Sequence, residues 1–373
     1  MSILTAFADV TDFRVQGRVT HLLGDILALL LCGTLAGCDD LLEICDYGHA
    51  RLDFLRQELG LPLAGGIPSE DTLARVLQHL CPKQLEHSLR ACAHHLAAAQ
   101  AAGLPPLAGQ QVCLDGKAHR ATLPAGKHHA LVRTVSVWLA EEQLSFGQRQ
   151  VGAKTTEKTA MVALLEELDV RGSIVTVDAI ASQPAFAQRV LAQGADYVIA
   201  LKKNQKTRYE QLPDGLLAQA PTLPSWVGRA LGHGRGEVRT VRICQQLGAW
   251  EAAAAWPGLR TVVWVETQRH TAQGVTQSRR LYLSSLSDPD PATYARLVRG
   301  HWSIENQLHW QLDVTFGEDQ SRLRTGHAAL NANILRKMAL YLLNQVPGTI
   351  SRKRKRKLAA YDNRFLLTAL QAA

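Results

Sequence analysis

The chain has 373 residues, of which 46% are hydrophobic, and this length and composition allow two domains and at least one large core. The net charge of +8 and the sequence pI near 9.2 favour a polyanionic partner, although charge alone identifies no chemistry. The seven cysteines are odd in number and include no C-x-x-C pair, which argues against a disulfide framework and against a cysteine-based metal site.

The first hundred residues carry a helical pattern. Apolar residues recur at helical spacing between His21 and about Leu96, and one segment opens with Pro68 and a suitable cap at Ser69. The apolar run Ile26–Gly37 is too short to cross a bilayer, and the chain lacks the charged start of a signal peptide, so we expect a cytoplasmic protein without a membrane partner. We predict an all-helical domain over residues 1–100. Its helices either bind DNA ends, as a helix-turn-helix unit would, or serve packing and dimerisation.

A strand pattern follows, and two of its strands end in an aspartate. Val112 to Leu114 lead into Asp115, and residues 131–140 and 144–151 are predicted as neighbouring antiparallel strands. Residues 157–168 are typical of a crossover helix, which returns the chain to a strand that ends at Asp178. A further helix and strand follow. This order predicts an α/β fold with a ribonuclease-H-like core over residues 108–345.

The remaining segments complete the predicted organisation. Strand-like pieces over about residues 204–286 indicate a β-rich insertion whose last strand returns to the main sheet, and a helix is predicted from Thr293 to Gln311. The basic run Arg352–Lys357 predicts that residues 346–373 form a basic C-terminal tail that contacts DNA phosphates. A solvated tail without that role is the alternative.

Three acidic residues on separate predicted elements are the candidate catalytic and metal-binding residues: Asp115, Asp178 and Glu305. Both aspartates follow strands, at the carboxyl end where α/β sheets place their ligands. Mg²⁺ prefers oxygen ligands and keeps several waters, so two or three carboxylates and the phosphates of a substrate suffice to hold a pair of ions. On a basic chain, this pattern predicts metal-dependent cleavage of nucleic acid.

The segment around Glu305 holds further candidates. On an α-helix, His301 and His309 fall one turn to either side of Glu305 and share its face. We predict that they orient phosphate or water, with packing and local hydrogen bonds as the alternative. Three acidic residues compete for the position of third ligand, although solvation or helix capping is their commoner role. They are Asp313, Glu318 and Asp319.

Basic and amide side chains near the predicted sheet edge are candidates for contacts with DNA. The full set is Lys117, Arg120, Lys202, Lys203, Asn204, His301, His309, Arg352 and Lys353. For most of these residues, an exposed and solvated turn or charge run is the alternative.

Ordered motifs along nearly the whole chain resemble insertion-sequence transposases of the DDE class, in the group of the H-repeat-associated proteins. The motifs are DFRVQGRVTHLLGDIL, IPSEDTLARVLQHL, LDGKAHR, QVGAKTTEKTA, IVTVDAIASQ, GADYVIALKKNQ, HGRGEVRT, RLYLSSL and HWSIENQLHWQLDVTFGED. The resemblance implies that Asp115, Asp178 and Glu305 are the three catalytic acids. Where many related transposases carry Tyr and Arg before the final acid, this chain has Val298 and His301, and Leu312 replaces a Lys.

The resemblance also implies an activity and its partners. A transposase of this class nicks DNA at the ends of its element and joins the 3′-hydroxyl to target DNA, with two Mg²⁺ ions or with Mn²⁺ as a substitute. Its partners are double-stranded DNA with terminal inverted repeats and a second copy of the chain, in a prokaryotic cytoplasm at the nucleoid. A metal-dependent DNA nuclease or a catalytically inactive DNA-binding relative is the alternative. A structural or regulatory binding protein without metal would require the acids to be dispensable.

Overall fold

The computed structural model describes residues 5–15, 17–99, 107–122, 131–152, 154–201, 222–232, 235–247, 250–287 and 290–371. Within these ranges, helices at the start of the chain precede one large mixed sheet, with more helices at the end. The predicted α/β class with leading helices is therefore confirmed.

In the described residues before the sheet there are five α-helices: α1 (Leu23–Leu35), α2 (Leu41–Ala50), α3 (Leu52–Gln57), α4 (Glu70–His79) and α5 (Pro82–Ala99). Side chains cap two of them. Asp40 accepts the backbone N–H of Glu43 at 2.9 Å, and Ser69 accepts that of Thr72 at 3.4 Å, which confirms the predicted cap at Ser69. Among the described residues, no helix is long and apolar enough to span a membrane.

The first part of the sheet has five strands: β1 (Gln111–Ala118), β2 (Arg133–Leu139), β3 (Leu144–Gln150), β4 (Ile174–Val177) and β5 (Asp196–Leu201). Their order is β3-β2-β1-β4-β5. The first three pair antiparallel, whereas β1, β4 and β5 run parallel. Helix α6 (Glu157–Glu166) connects β3 to β4, and α7 (Pro184–Ala192) connects β4 to β5. Because Leu114 pairs with Val177, Asp115 and Asp178 follow side by side at one edge.

Four further strands extend this sheet: β6 (Ser225–Gly232), β7 (Arg235–Cys244), β8 (Thr261–Thr271) and β9 (Gly274–Ser284). They occupy the region predicted as a β-rich insertion. The last of them, β9, pairs antiparallel with β5, and the order continues through β8 and β7 to β6. The outer halves of β8 and β9 are exposed, so this part of the sheet projects beyond the core.

The helix predicted over Thr293 to Gln311 changes its geometry halfway. Helix α8 (Pro291–Ser303) begins at Asp290, which accepts the N–H of Thr293 at 2.6 Å. Two π-helical segments follow, Ile304–His309 and Gln311–Thr315. The chain ends with three α-helices: α9 (Ala328–Gln345), α10 (Arg352–Tyr361) and α11 (Asn363–Gln371).

Helix α9 joins the two ends of the chain in one core. The amide of Asn331 donates to the carbonyls of Leu77 and Leu80 at 2.8 and 2.9 Å. Buried side chains of the N-terminal helices, the sheet and α9 form one continuous hydrophobic cluster. The helices of residues 1–100 therefore do not pack around a core of their own.

The prediction of a basic tail over residues 346–373 is wrong. The basic run forms α10, and two of its cations are buried. Lys355 donates to the carbonyl of Leu343 at 2.9 Å, and Arg356 donates to the carbonyl of Thr34 at 3.1 Å and to Asp39 at 3.0 Å. These cations bind carbonyl groups in the last turns of α1 and α9, which no local pattern of charge reveals.

Candidate active site

Asp115 lies in the second half of β1, where the backbone fixes its carboxylate. The N–H of Gly116 donates to Oδ1 at 2.8 Å. Burial raises the pKa of Asp115 to about 7; the hydrogen bond from Gly116 lowers it, and the nearby carboxylates of Asp178, Glu305 and Glu157 raise it. A cation at this position would offset the repulsion between these like charges.

Asp178 directly follows β4 and caps the short 3₁₀ turn Ala179–Ala181. Its Oδ1 accepts the N–H of Ile180 at 2.8 Å. The parallel register of β1 and β4 brings it beside Asp115, so hydrogen bonds to the backbone orient both aspartates. A carboxylate held in this way is pre-positioned for ligand binding.

Glu305 lies in the first π-helical segment and is exposed. Ile304 and Leu308 are fully buried in the same segment and anchor it to the core. The wider turn of a π-helix changes which side chains share a face, and such turns occur frequently at functional sites. The segment thus leaves the Glu305 carboxylate free to face the two aspartates.

One cavity of about 380 Å³ is lined by all three predicted acids, Asp115, Asp178 and Glu305. Its other lining residues come from the turn after β4, from β5, from β9, from the end of α8 and from the start of the first π-helical segment. They are Ala179, Ala200, Leu201, Arg279, Arg280, Tyr282, His301, Trp302 and Ile304. The structure therefore brings together the residues that the sequence placed on three separate elements.

The donor chemistry of this cavity fits a hard divalent cation such as Mg²⁺. Within the described ranges, no group of three or more His, Cys, Asp or Glu side chains is close enough to hold a metal ion. The carboxylates of Asp178 and Glu305 nevertheless act on the pKa of Asp115, so the acids share one electrostatic environment. Mg²⁺ keeps several of its waters, so its ligands need not converge as tightly as those of an all-protein cage.

Two histidines, the half-buried His301 and the buried His309, support the acids without adding charge. His301 Nδ1 lies 3.1 Å from the hydroxyl of Thr176, and burial lowers the pKa of His301 to about 4. His309 Nδ1 lies 3.5 Å from Oδ2 of Asp115, and burial lowers the pKa of His309 to about 3. Both rings are neutral at pH 7. The contact between His309 and Asp115 is therefore a polar contact and not an ion pair.

Lys117 belongs to a buried ion network. Its ammonium contacts the carboxylate of Asp313 and lies 2.8 Å from Oε2 of Glu318. Glu318 also accepts the amide of Asn333 at 2.6 Å. This placement does not favour the predicted phosphate contact of Lys117. Of the three competing third ligands, Asp313 and Glu318 are engaged here. Neither these two nor Asp319 line the cavity, whereas Glu305 does.

The other candidates for DNA contacts differ in exposure. Arg120 and Lys353 are exposed, so both are accessible to a phosphate. Arg352 is half-buried and donates to Asn344 at 2.7 Å and to Gln143 at 3.0 Å. Three candidates lie outside the described residues: Lys202, Lys203 and Asn204.

Sequence reasoning missed Glu157, a fourth carboxylate beside the site. Glu157 is the first residue of α6, and a Cβ added at Gly116 would lie 1.4 Å from its Oε1. The carboxylate therefore packs against the backbone directly after Asp115. An acid in the first turn of a helix usually reflects the helix dipole, so only the packing of α6 against the sheet reveals this contact.

Sequence reasoning also missed the arginines of β9. Arg279 and Arg280 line the same cavity as the acids, and the guanidinium of Arg280 lies 4.4 Å from the ring centroid of Trp302. The adjacent pair stands at the start of the RLYLSSL motif. In the sequence, these arginines are recognisable only as positive charges in a predicted strand. Their position beside the acids depends on the pairing of β9 with β5.

Comparisons with known proteins agree with this geometry. The family model described as Transposase DDE domain matches residues 106–342, and the model described as DDE_Tnp_1-associated matches residues 4–93. YncI of Escherichia coli O157:H7, named as a candidate transposase, is 33% identical over 372 residues, covering 95% of this chain and 91% of YncI. The H repeat-associated candidate transposase YhhI of E. coli K12 is 30% identical over 375 residues, covering 97% of this chain and 95% of YhhI.

A solved structure, the cryo-EM structure of the piggyBac transposase synaptic complex with hairpin DNA, is similar at a TM-score of 0.44 and 10% identity. The similarity covers 100% of this chain and 79% of that one. At this TM-score, the similarity carries no weight for the fold.

Proposed function

This chain belongs to the family of DDE transposases, and from that membership we propose that it cuts and joins the ends of an insertion sequence by phosphoryl transfer with two divalent ions, at Asp115, Asp178 and Glu305. The observation that carries the proposal is the single cavity lined by all three acids. Asp115 and Asp178 come from neighbouring parallel strands, and Glu305 comes from the segment packed beside them.

The proposed chemistry has two steps. Water attacks the phosphorus at the end of the element, the P–O3′ bond breaks, and a 3′-hydroxyl and a 5′-phosphate remain. The 3′-hydroxyl then attacks a phosphodiester of the target. A new P–O3′ bond joins the element to the target, the target's own P–O3′ bond breaks, and its 3′-oxygen leaves as a hydroxyl that takes up the proton lost by the nucleophile. When bound, Mg²⁺ or Mn²⁺ ions supply an activated nucleophile and stabilise the leaving oxygen.

The residues of this chain prepare that site. The N–H groups of Gly116 and Ile180 orient the carboxylates of Asp115 and Asp178. Burial of Asp115 removes water that would screen its attraction for a cation. His309 beside Asp115 remains neutral, so it does not compete with a metal ion for the negative charge.

We further propose that strands β1 to β5 are a ribonuclease-H-like core, because their order and directions follow that layout. Double-stranded DNA is the proposed partner, as both terminal inverted repeats and target. Two ends must be held together for joining, so a homodimer is expected when DNA is bound. The place of action is proposed to be the nucleoid of a prokaryotic cytoplasm.

The test uses purified full-length protein, a labelled duplex with the ends of its own element, and Mg²⁺. Strand-specific nicks at the ends, lost in Asp178→Asn and retained in Asp169→Asn, are the expected result. Asp169 is exposed and pairs with Arg171, away from the cavity of the acids. Sequence-blind digestion would identify a nuclease instead. Binding without any cleavage, with Mg²⁺ and with Mn²⁺, would identify an inactive relative.

A further inference from the structure

A second cavity, of about 600 Å³, lies between helix α8 and strands β7 to β9. Five arginines line it, and we call it the arginine groove. They are Arg239, Arg269, Arg280, Arg296 and Arg299. None of these residues entered the proposed chemistry above. The groove shares Arg280, Tyr282 and Trp302 with the cavity of the acids, so the two cavities are adjacent.

The positive charge of the groove is only partly neutralised. Arg239 and Arg269 both pair with Glu237, at 2.6 and 3.4 Å, and Arg296 pairs with Glu141 at 3.1 Å. In the described part of the chain, neither Arg280 nor Arg299 has a carboxylate within ion-pair distance. Both are exposed, and the guanidinium of Arg280 lies over the ring of Trp302. The groove therefore keeps an excess of cations beside a site of excess anions.

The groove also contains buried polar atoms that lack a partner. Nε of Arg239 and Oε1 of Gln307 are shielded from solvent, and neither has a hydrogen-bond partner among the described residues. A buried donor without an acceptor is costly unless a ligand completes it. Guanidinium groups match the oxygens of a phosphate, which accept two parallel hydrogen bonds.

The geometry points to an unpaired stretch of DNA strand as the occupant: we propose that the arginine groove binds one or two nucleotides next to the phosphodiester held by the acids. This assignment rests on the proposed function, because that function places a DNA strand in the adjacent cavity. A groove of this volume suits a ligand of that size and does not enclose a duplex. Arginine-lined grooves are also how proteins follow single strands without reading their sequence.

The test compares two fluorescein-labelled duplexes of one arbitrary sequence, one blunt and one with a four-nucleotide single-stranded overhang. Binding to the full chain is measured by anisotropy in EDTA, at several salt concentrations. We expect the overhang to strengthen wild-type binding by about tenfold, as two charge-assisted contacts would. We also expect a steeper salt dependence, by about 0.7 per phosphate contacted.

The double variant Arg280→Ala/Arg299→Ala should lose the advantage of the overhang and keep its affinity for the blunt duplex. The matched control, Arg171→Ala/Arg189→Ala, removes two exposed, ion-paired arginines that line neither cavity and should behave as wild type. If the alanine variant does not fold, as judged by circular dichroism, Arg280→Gln/Arg299→Gln takes its place.

Three results would overturn the proposal: no preference of the wild type for the overhang, an equal loss on both duplexes, or the same loss in the control. An acidic peptide that competes better than a single strand would assign the groove to a protein partner instead. Because the measurement contains no divalent ion, it is independent of cleavage. Glu305→Gln should keep the preference for the overhang. Binding in the arginine groove is therefore tested separately from the proposed cleavage chemistry.

Discussion

Glu305 and Glu318 are thirteen residues apart in the sequence, yet their loss should have opposite consequences. We predict that Glu318→Gln lowers the free energy of unfolding. Glu305→Gln should leave that free energy unchanged and abolish DNA cleavage. The side chain of Glu318 is 3% exposed, forms an ion pair with Lys117 through Oε2 at 2.8 Å, and accepts the amide of Asn333 on Oε1 at 2.6 Å. Glu305 is exposed.

The magnitude follows from what each substitution leaves behind. A glutamine at 318 turns an NH₂ group toward one of two buried donors. Among the described residues, it leaves the ammonium of Lys117 with Asp313 as its only close carboxylate. Breaking a buried ion pair from one side costs about 3–5 kcal/mol. A neutral substitution at an exposed position such as 305 stays within about 0.5 kcal/mol.

Urea unfolding at pH 7 in EDTA measures both variants, with Glu166→Gln as the control for an exposed, ion-paired glutamate. Burial alone would raise the pKa of Glu318. The positive charges of Lys117 and Arg336 outweigh that effect and hold the pKa well below its usual range. Its contribution is therefore complete above the unfolded pKa near 4.5 and is lost as pH falls below that value. The difference in free energy of unfolding between wild type and Glu318→Gln should therefore become smaller as the pH falls from 7 toward 3. A loss of less than about 1 kcal/mol at 318, or a larger loss at 305, would refute this reasoning.

Three further predictions concern the site and α10. Asp178→Asn should abolish nicking and keep DNA affinity equal or slightly higher, because it removes one negative charge and little volume; wild-type rates in a gel assay would exclude its role. Arg356→Ala should lower the free energy of unfolding by about 3 kcal/mol, because it removes a buried cation from its carbonyl partners. In the same urea titration, Lys357→Ala should have no effect, because Lys357 is exposed. Equal effects would mean that the basic run is a surface feature. Gly116→Ala should displace the flexible end of Glu157, lower the nicking rate and change stability by less than about 1.5 kcal/mol; an unchanged rate would make Glu157 dispensable.

The sequence determined where the elements begin and in which order the acids appear. Apolar runs that end at Asp115 and Asp178 predicted two strands, and the structure has both, in parallel and with the two aspartates side by side, although β1 continues past Asp115 to Ala118. Ser69 predicted a helix start from its side chain alone. These features are local, because a strand or a cap depends on neighbours within a few residues. Such patterns can therefore be recognised in the sequence alone.

The tertiary structure decided what each charged side chain does. Lys117 and Arg356 sit in basic stretches that suggested contact with phosphate, yet both are buried against partners far along the chain. Glu157 meets Gly116 only because α6 packs against the sheet, and Arg280 lines the cavity of the acids only because β9 pairs with β5. Charge is visible in a sequence, but its burial and pairing depend on long-range packing. The free energy of a charged group is set by that environment and not by its neighbours in the chain.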